Sequence, residues 1–179
     1  SYIMNKMDFI ENIVIGAGAL GIATAKKFQE NDKPCLLVEK KEMIFYETSS
    51  RNSEVIHSGI YYKQNSNKNT FCLSGKELLY KYLQKNNIEH KKCGKLIVSD
   101  GSDSQNKKIE DLQKLAKQKY IKHRTLTEAE ITKNYSFLKS KINLFIEDTG
   151  IFDSHSFGLS LLRDFENDGG LISYKTEID

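Results

Sequence analysis

The sequence predicts an α/β fold in which a parallel sheet is interrupted by a mixed insertion. Three observations carry this. Two short apolar runs near the start flank a stretch with helical spacing, giving the order β-α-β. Glycines crowd the turn between the first run and the helix. After a middle of mixed character, the pattern returns as one helix followed by one strand.

Taken in order, "NIVIG" (12–16) is β-branched and strand-like, and "ALGIATAKKFQEN" (19–31) has apolar residues at helical spacing. "CLLVE" (35–39) is a second strand. Both strands are apolar on two faces, as in a parallel sheet covered on both sides. Residues 67–87 read as a long amphipathic helix with Phe71, Leu78, Leu79, Tyr82 and Leu83 toward the core. "CGKLIVS" (93–99) is strand-like, 101–106 a loop and 107–119 a helix. "IKHRTL" (121–126) suits a further strand. "TEAE" (127–130) has the form of a capping box, in which Thr and Glu satisfy each other's backbone N–H groups. "INLFIED" (142–148) is a strand. Residues 153–170 begin with a capping Asp or Ser and end in glycines, so they form a helix, and "LISYKTEI" (171–178) is a last strand, third in the parallel sheet.

Bulk composition excludes several classes. The 179 residues are 39% hydrophobic and 28% charged, with a net charge of +3 and mean hydropathy of −0.53. No apolar run approaches the roughly 20 residues that span a bilayer. Lysines are interspersed with acids, which argues for solvated faces and against a nucleic-acid patch. Cys35, Cys72 and Cys93 are odd in number and far apart, unlike a disulfide framework; they read as reduced thiols, two of them buried. The four histidines lack ligand spacing, so no metal is expected. The expected location is cytoplasmic, with peripheral contact at the inner face of a membrane left open.

The chemical signal is "GAGALG". Gly16 permits a tight turn, Gly18 lets a pyrophosphate approach the backbone, and Gly21 lets the helix pack closely. The helix leaves from Ala19 and Leu20, where unpaired N–H groups face an anion. Glu39 ends the next strand about 20 residues on, placed to accept from ribose hydroxyls, with Lys40 beside it. This is a Rossmann-like dinucleotide signature. Glu39 argues against a 2′-phosphate, leaving NAD and FAD. The segment after the second strand is a polar, donor-rich run where a plain NAD domain has an apolar crossover helix, and this favours FAD.

"TSSRNSEVIHSGIYY" (48–62), "CGKLIVS" and "TGIFDSH", with "GAGALG" and "LLVEK", resemble the L-2-hydroxyglutarate dehydrogenase/oxidase branch of the D-amino-acid-oxidase-like FAD-dependent oxidoreductases. The resemblance runs along essentially the whole chain. Asp32 stands where the first helix commonly ends in Gly, and Asp tolerates the left-handed conformation. The resemblance implies an FAD-binding fold with an inserted substrate domain: residues 1–90 as the first part of the FAD domain, 91–150 as the start of the substrate domain, and 151–179 as the return. It implies that Thr48, Ser49, Ser50, Arg51, Asn52 and Ser53 contact phosphate and flavin. His57, Ser58 and Gly59 would lie against the isoalloxazine, and the backbone near Ile178 would meet the adenine. Arg51 could instead form a surface ion pair, and Asn52 and Ser53 a helix cap. Tyr61 and Tyr62 read as core.

The implied reaction is hydride transfer from a small 2-hydroxy acid to flavin N5, with oxygen or a quinone as electron acceptor. His57 would be the general base, would tune the flavin, would hold it covalently, or would be a satisfied structural histidine. Alternatives are an amino-acid or glycerol-3-phosphate oxidase of the same fold, or a non-catalytic nucleotide-binding module. The resembling enzymes are about twice this length, so this chain is expected to be a truncated form, inactive alone.

Overall fold

A computed structural model describes residues 10–138 and 142–178. In chain order the described elements are β1 (Asn12–Ile15), α1 (Ala19–Gln29), β2 (Cys35–Val38), β3 (Val55–Ile56), α2 (Asn67–Lys85), β4 (His90–Lys91) and β5 (Lys95–Val98). There follow α3 (Asp103–Gln118), β6 (His123–Arg124), α4 (Glu128–Asn134), β7 (Asn143–Ile146), β8 (Gly150–Phe152), α5 (Ser154–Asn167) and β9 (Leu171–Ser173). A single 3-10 turn covers Thr48–Arg51.

The chain divides into two compact units, Ser1–Ser53 with Asp153–Asp179, and Glu54–Phe152. Residues 54–90 therefore pack in the second unit, whereas the sequence grouped them with the first part of the nucleotide domain. The reason is pairing: β3 is antiparallel to β8, and β4 pairs with the same strand.

The first unit is a parallel sheet in the order β1-β2-β9, the expected β-α-β followed by α-β. α1 and α5 pack on each other, and Val14 lies beneath Gly21 of α1. The opposite face, expected to be covered, is open among the described residues: Ile13 is 52% and Ile15 68% exposed, as is Leu171 at 66%. β9 ends at Ser173, five residues short of the expected strand. β2 stops at Val38, so beyond Ser173 the chain has no strand to pair with and folds back across Glu39, Thr176 N–H donating to Glu39 O. Asp32, after α1, has φ of 54°, as its place at the helix end required.

The second unit holds two antiparallel sheets, β3-β8-β4 and β5-β7-β6. Its core gathers Ile60, Ile109, Ala116, Ile121, Leu144 and Ile146. α3 starts at Asp103, earlier than expected, because Ser102 accepts from Gln105 N–H and caps it. The capping box of α4 forms between Thr127 and Glu130 as read. On α2, Leu83 is buried, but Phe71 and Leu78 are exposed, since the helix buries a narrower stripe than its sequence offers. Tyr61 is exposed and Tyr62 half-buried, each under a lysine ammonium (Lys95 and Lys68), so neither is core. Of the cysteines only Cys35 is buried; Cys72 is half-buried and Cys93 exposed.

Candidate functional site

A groove of about 420 Å³ opens at the C-terminal ends of the parallel strands, where ligands bind in open α/β sheets. Of the residues singled out from the sequence, Gly16, Gly18, Glu39, Lys40, Thr48, Ser49 and Ile178 line it.

The glycine turn explains its own composition. Gly16 has φ of +97°, outside the range of L side chains, and its N–H donates to Val38 O at 2.7 Å. A Cβ at Gly21 would stand 1.8 Å from Gly16 O, so α1 can approach the turn only with glycine there. A Cβ at Gly18 would meet Ser49 Oγ at 2.9 Å. That hydroxyl accepts the Ala19 N–H at 3.0 Å, at the head of α1. The next two N–H groups, of Leu20 and Gly21, have no acceptor among the described residues, and the first turn of α1 carries no acid. Two open donors and the positive end of an 11-residue helix dipole therefore lie at the head of α1, next to Gly18 on the groove wall.

Glu39 does more than the sequence reading assigned to it. It is 7% exposed, and each carboxylate oxygen accepts a backbone N–H at 2.8 Å, Oε2 from Ala17 and Oε1 from Lys41. It ties the glycine turn to the bend after β2. Each oxygen keeps a second lone pair for a ribose hydroxyl. The cradle thus fits an adenine dinucleotide: space where a side chain is absent, free donors for phosphate and an oriented carboxylate for the ribose.

The remaining expected contacts divide. Ser50 Oγ turns back to the carbonyls of Tyr46 and Glu47, and Asn52 Nδ2 donates to Ser49 O and Ser154 Oγ, stapling the 3-10 turn to the head of α5. Ser53 is exposed. Arg51 is also exposed and makes no ion pair among the described residues, so its guanidinium is available.

His57, Ser58 and Gly59 belong to the second unit. There they line, with Lys95 and Thr149, a cavity of about 10 Å³, the size of one water. Ser58 is 4% exposed, and Gly59 packs against Leu73 and Cys72 of α2. Thr149 Oγ1 is buried without a hydrogen-bond partner among the described residues. Cys72 Sγ donates to His57 O at 3.4 Å, and Lys119 Nζ reaches the carbonyls of Gly59, Ile60 and Tyr62. The backbone around His57 is thereby held, while its ring is exposed and makes no hydrogen bond among the described residues. His90 and His123 differ: each places Nδ1 2.7 Å from the carbonyl two residues back. They are the satisfied structural histidines of this chain.

Sequence reasoning missed Phe45, Tyr46 and Thr176, which also line the groove. The available signal for the first two was the apolar run Met43–Tyr46 set between charged and hydroxyl-bearing residues. Among the described residues no group of His, Cys, Asp and Glu could hold a metal, and no helix is long and apolar enough to cross a membrane.

Strand order, glycine turn and acidic strand end define a dinucleotide-binding α/β protein. Residues 12–179 match the profile of the DAO family, the FAD dependent oxidoreductases, and the chain belongs to that family, whose cofactor is FAD. It is 41% identical over 155 residues to the mitochondrial L-2-hydroxyglutarate dehydrogenase of Arabidopsis thaliana, covering 86% of this chain and 32% of that protein. It is 31% identical over 173 residues to the human protein of the same name, covering 93% and 36%. Among solved structures, the L-alpha-glycerophosphate oxidase of Mycoplasma pneumoniae with FAD bound superposes with a TM-score of 0.82. It shares 25% identity, with 93% of this chain and 44% of that one covered. The chain thus spans about a third of the length of these curated relatives.

Proposed function

We infer that this chain supplies the FAD-binding portion of an oxidoreductase acting on a small 2-hydroxy acid of the L-2-hydroxyglutarate kind, with hydride delivered to flavin N5. The observation that carries the cofactor reading is the cradle at the head of α1: Gly18 beside Ser49, open N–H groups on Leu20 and Gly21, and Glu39 held by two backbone donors. The substrate class rests on the relatives' names. Identity to L-2-hydroxyglutarate dehydrogenases reaches 41%, against 25% to the glycerophosphate oxidase, which favours the hydroxy acid over the related oxidase reactions.

When bound, FAD supplies the hydride acceptor. The chain's own residues then divide the work. Gly16, Gly18, Ala19, Leu20 and Gly21 accommodate the pyrophosphate, Glu39 orients the ribose, and Ile178 offers backbone and side chain to the adenine. Thr48 and Ser49, with Arg51 beyond them, supply donors and charge along the strap that follows β2. His57 presents an exposed imidazole on a held backbone and would serve as general base once the substrate hydroxyl comes within its hydrogen-bond reach. Ser58 and Gly59 shape the same loop.

Two measurements test the reading. Denatured protein should release a yellow chromophore carrying an adenylate; a colourless preparation that is stabilised by NAD and not by FAD would refute it. Dye reduction by the product of the whole reading frame should be fastest with L-2-hydroxyglutarate among hydroxy acids, amino acids and L-α-glycerophosphate. Oxygen uptake in the same assay separates oxygen from a quinone as acceptor.

A further inference from the structure

Two oddities in the first unit explain each other. Phe45 has φ of +56°, a left-handed backbone that a bulky residue adopts only when its surroundings demand it. Gly158 lies inside α5 with an ordinary helical backbone, where glycine weakens a helix and no turn calls for it. A Cβ at Gly158 would stand 2.6 to 2.9 Å from Cζ, Cε2 and Cε1 of Phe45. The ring therefore occupies the space that the missing side chain leaves. Phe45 is 6% exposed, and its N–H donates to Ala17 O in the glycine turn at 3.0 Å.

We propose that Phe45 and the notch at Gly158 form a peg and socket that position the strap 45–49 over the nucleotide groove, making both residues determinants of FAD affinity. The inference rests on the FAD reading above. Among the described residues the strap's other ties on its way to the 3-10 turn are local and exposed: Lys41 lies over the Tyr46 ring and 3.8 Å from Glu47, and Ser50 Oγ donates back to the carbonyls of Tyr46 and Glu47. At one end the peg fixes the chain against α5 and against Ala17. Four residues on, Ser49 Oγ meets the Ala19 N–H beside Gly18. Moving the ring by the ångström or so that a methyl at position 158 requires would carry Ser49 away from the head of α1. The left-handed backbone at Phe45 makes the bend that joins these two anchors.

The test is a pair of FAD titrations in the full chain, read by flavin fluorescence, in two backgrounds. Gly158→Ala should weaken FAD binding at least tenfold while far-UV circular dichroism of the ligand-free protein stays native, since alanine itself favours the helix. In a Phe45→Ala background, already weak, adding Gly158→Ala should change the Kd by less than threefold, because the methyl then has room. Phe45→Leu, which keeps a shorter peg, should recover most of the affinity lost in Phe45→Ala. Leu159→Ala, a half-exposed neighbour on the same helix, should bind like the parent. Gly158→Ala binding within threefold of the parent, or an equal loss from it in both backgrounds, would overturn the peg and socket. So would a Gly158→Ala chain that fails to fold while Phe45→Leu binds no better than Phe45→Ala. A parent chain without FAD affinity would overturn the FAD reading and this inference together, whereas normal parent binding with an indifferent Gly158→Ala overturns the inference alone.

Discussion

Single side chains set the room that the groove offers at the glycine turn. At Gly18 the space is already shared with Ser49 Oγ, 2.9 Å from where a Cβ would lie. Gly18→Val should therefore abolish FAD binding while secondary structure stays near native, as checked by titration alongside circular dichroism; unchanged affinity would show that the phosphates lie elsewhere. At His57 the contrast with His90 and His123 is what matters, because those two rings are satisfied by nearby carbonyls and this one has no hydrogen-bond partner among the described residues. In the product of the whole reading frame, His57→Ala should slow flavin reduction by about 100- to 10,000-fold, the usual contribution of a general base, with FAD content largely retained. Stopped-flow rates within a few-fold of the parent would reassign His57 to a structural part.

At the scale of elements, the loop that carries His57 is held by the end of α3 and the strand ends by a small charge cluster. Lys119, at the C-cap of α3, gathers three carbonyls of the 59–62 turn. Lys119→Met should destabilise the second unit by about 2 kcal/mol, the order expected for hydrogen bonds to a charged donor, measured by urea unfolding. Asp148, between β7 and β8, lies 3.0 Å from Lys92 Nζ and 3.5 Å from Lys76 Nζ. Burial pushes its carboxyl upward, but the Lys92 hydrogen bond and the Lys76 charge together hold it below the usual 3.8. A carboxyl lowered on folding stabilises above its unfolded value and loses that contribution as pH falls through the folded one. Stability should thus decline below about pH 4, and Asp148→Asn should flatten that part of the profile. An unchanged acid limb in the variant would remove Asp148 from the explanation.

For the molecule as a whole, the chain spans about a third of its curated relatives' length, and hydride transfer needs the substrate carbon held about 3 to 3.5 Å from its acceptor. Residues 1–179 supplied with FAD should therefore show no appreciable oxidation of L-2-hydroxyglutarate; turnover within tenfold of the whole reading frame's product would make this chain a complete minimal catalyst. Among the described residues β1 also presents Ile13 and Ile15 on an open sheet face, which Leu171 of β9 shares. Concentrated samples should self-associate on light scattering, and Ile13→Lys with Ile15→Lys should suppress it.

Local features were legible in the sequence because their causes lie within a few residues. The β-α-β order, the turn at Gly16, the left-handed Asp32 and the Thr127–Glu130 box all follow from backbone sterics and neighbouring hydrogen bonds. So did most of the groove, since Gly16, Gly18, Glu39, Lys40, Thr48 and Ser49 all belong to the turns and the strap at the sheet's C-terminal ends. Tertiary structure alone decided that Phe45 fits Gly158, that Glu39 ties two bends together, that Phe71 and Leu78 face outward and that the His57 ring is exposed. Each of these depends on partners distant in the chain or on which face of an element is covered. Periodicity and composition specify an apolar stripe or a polar run; close packing between remote segments selects which of their atoms meet.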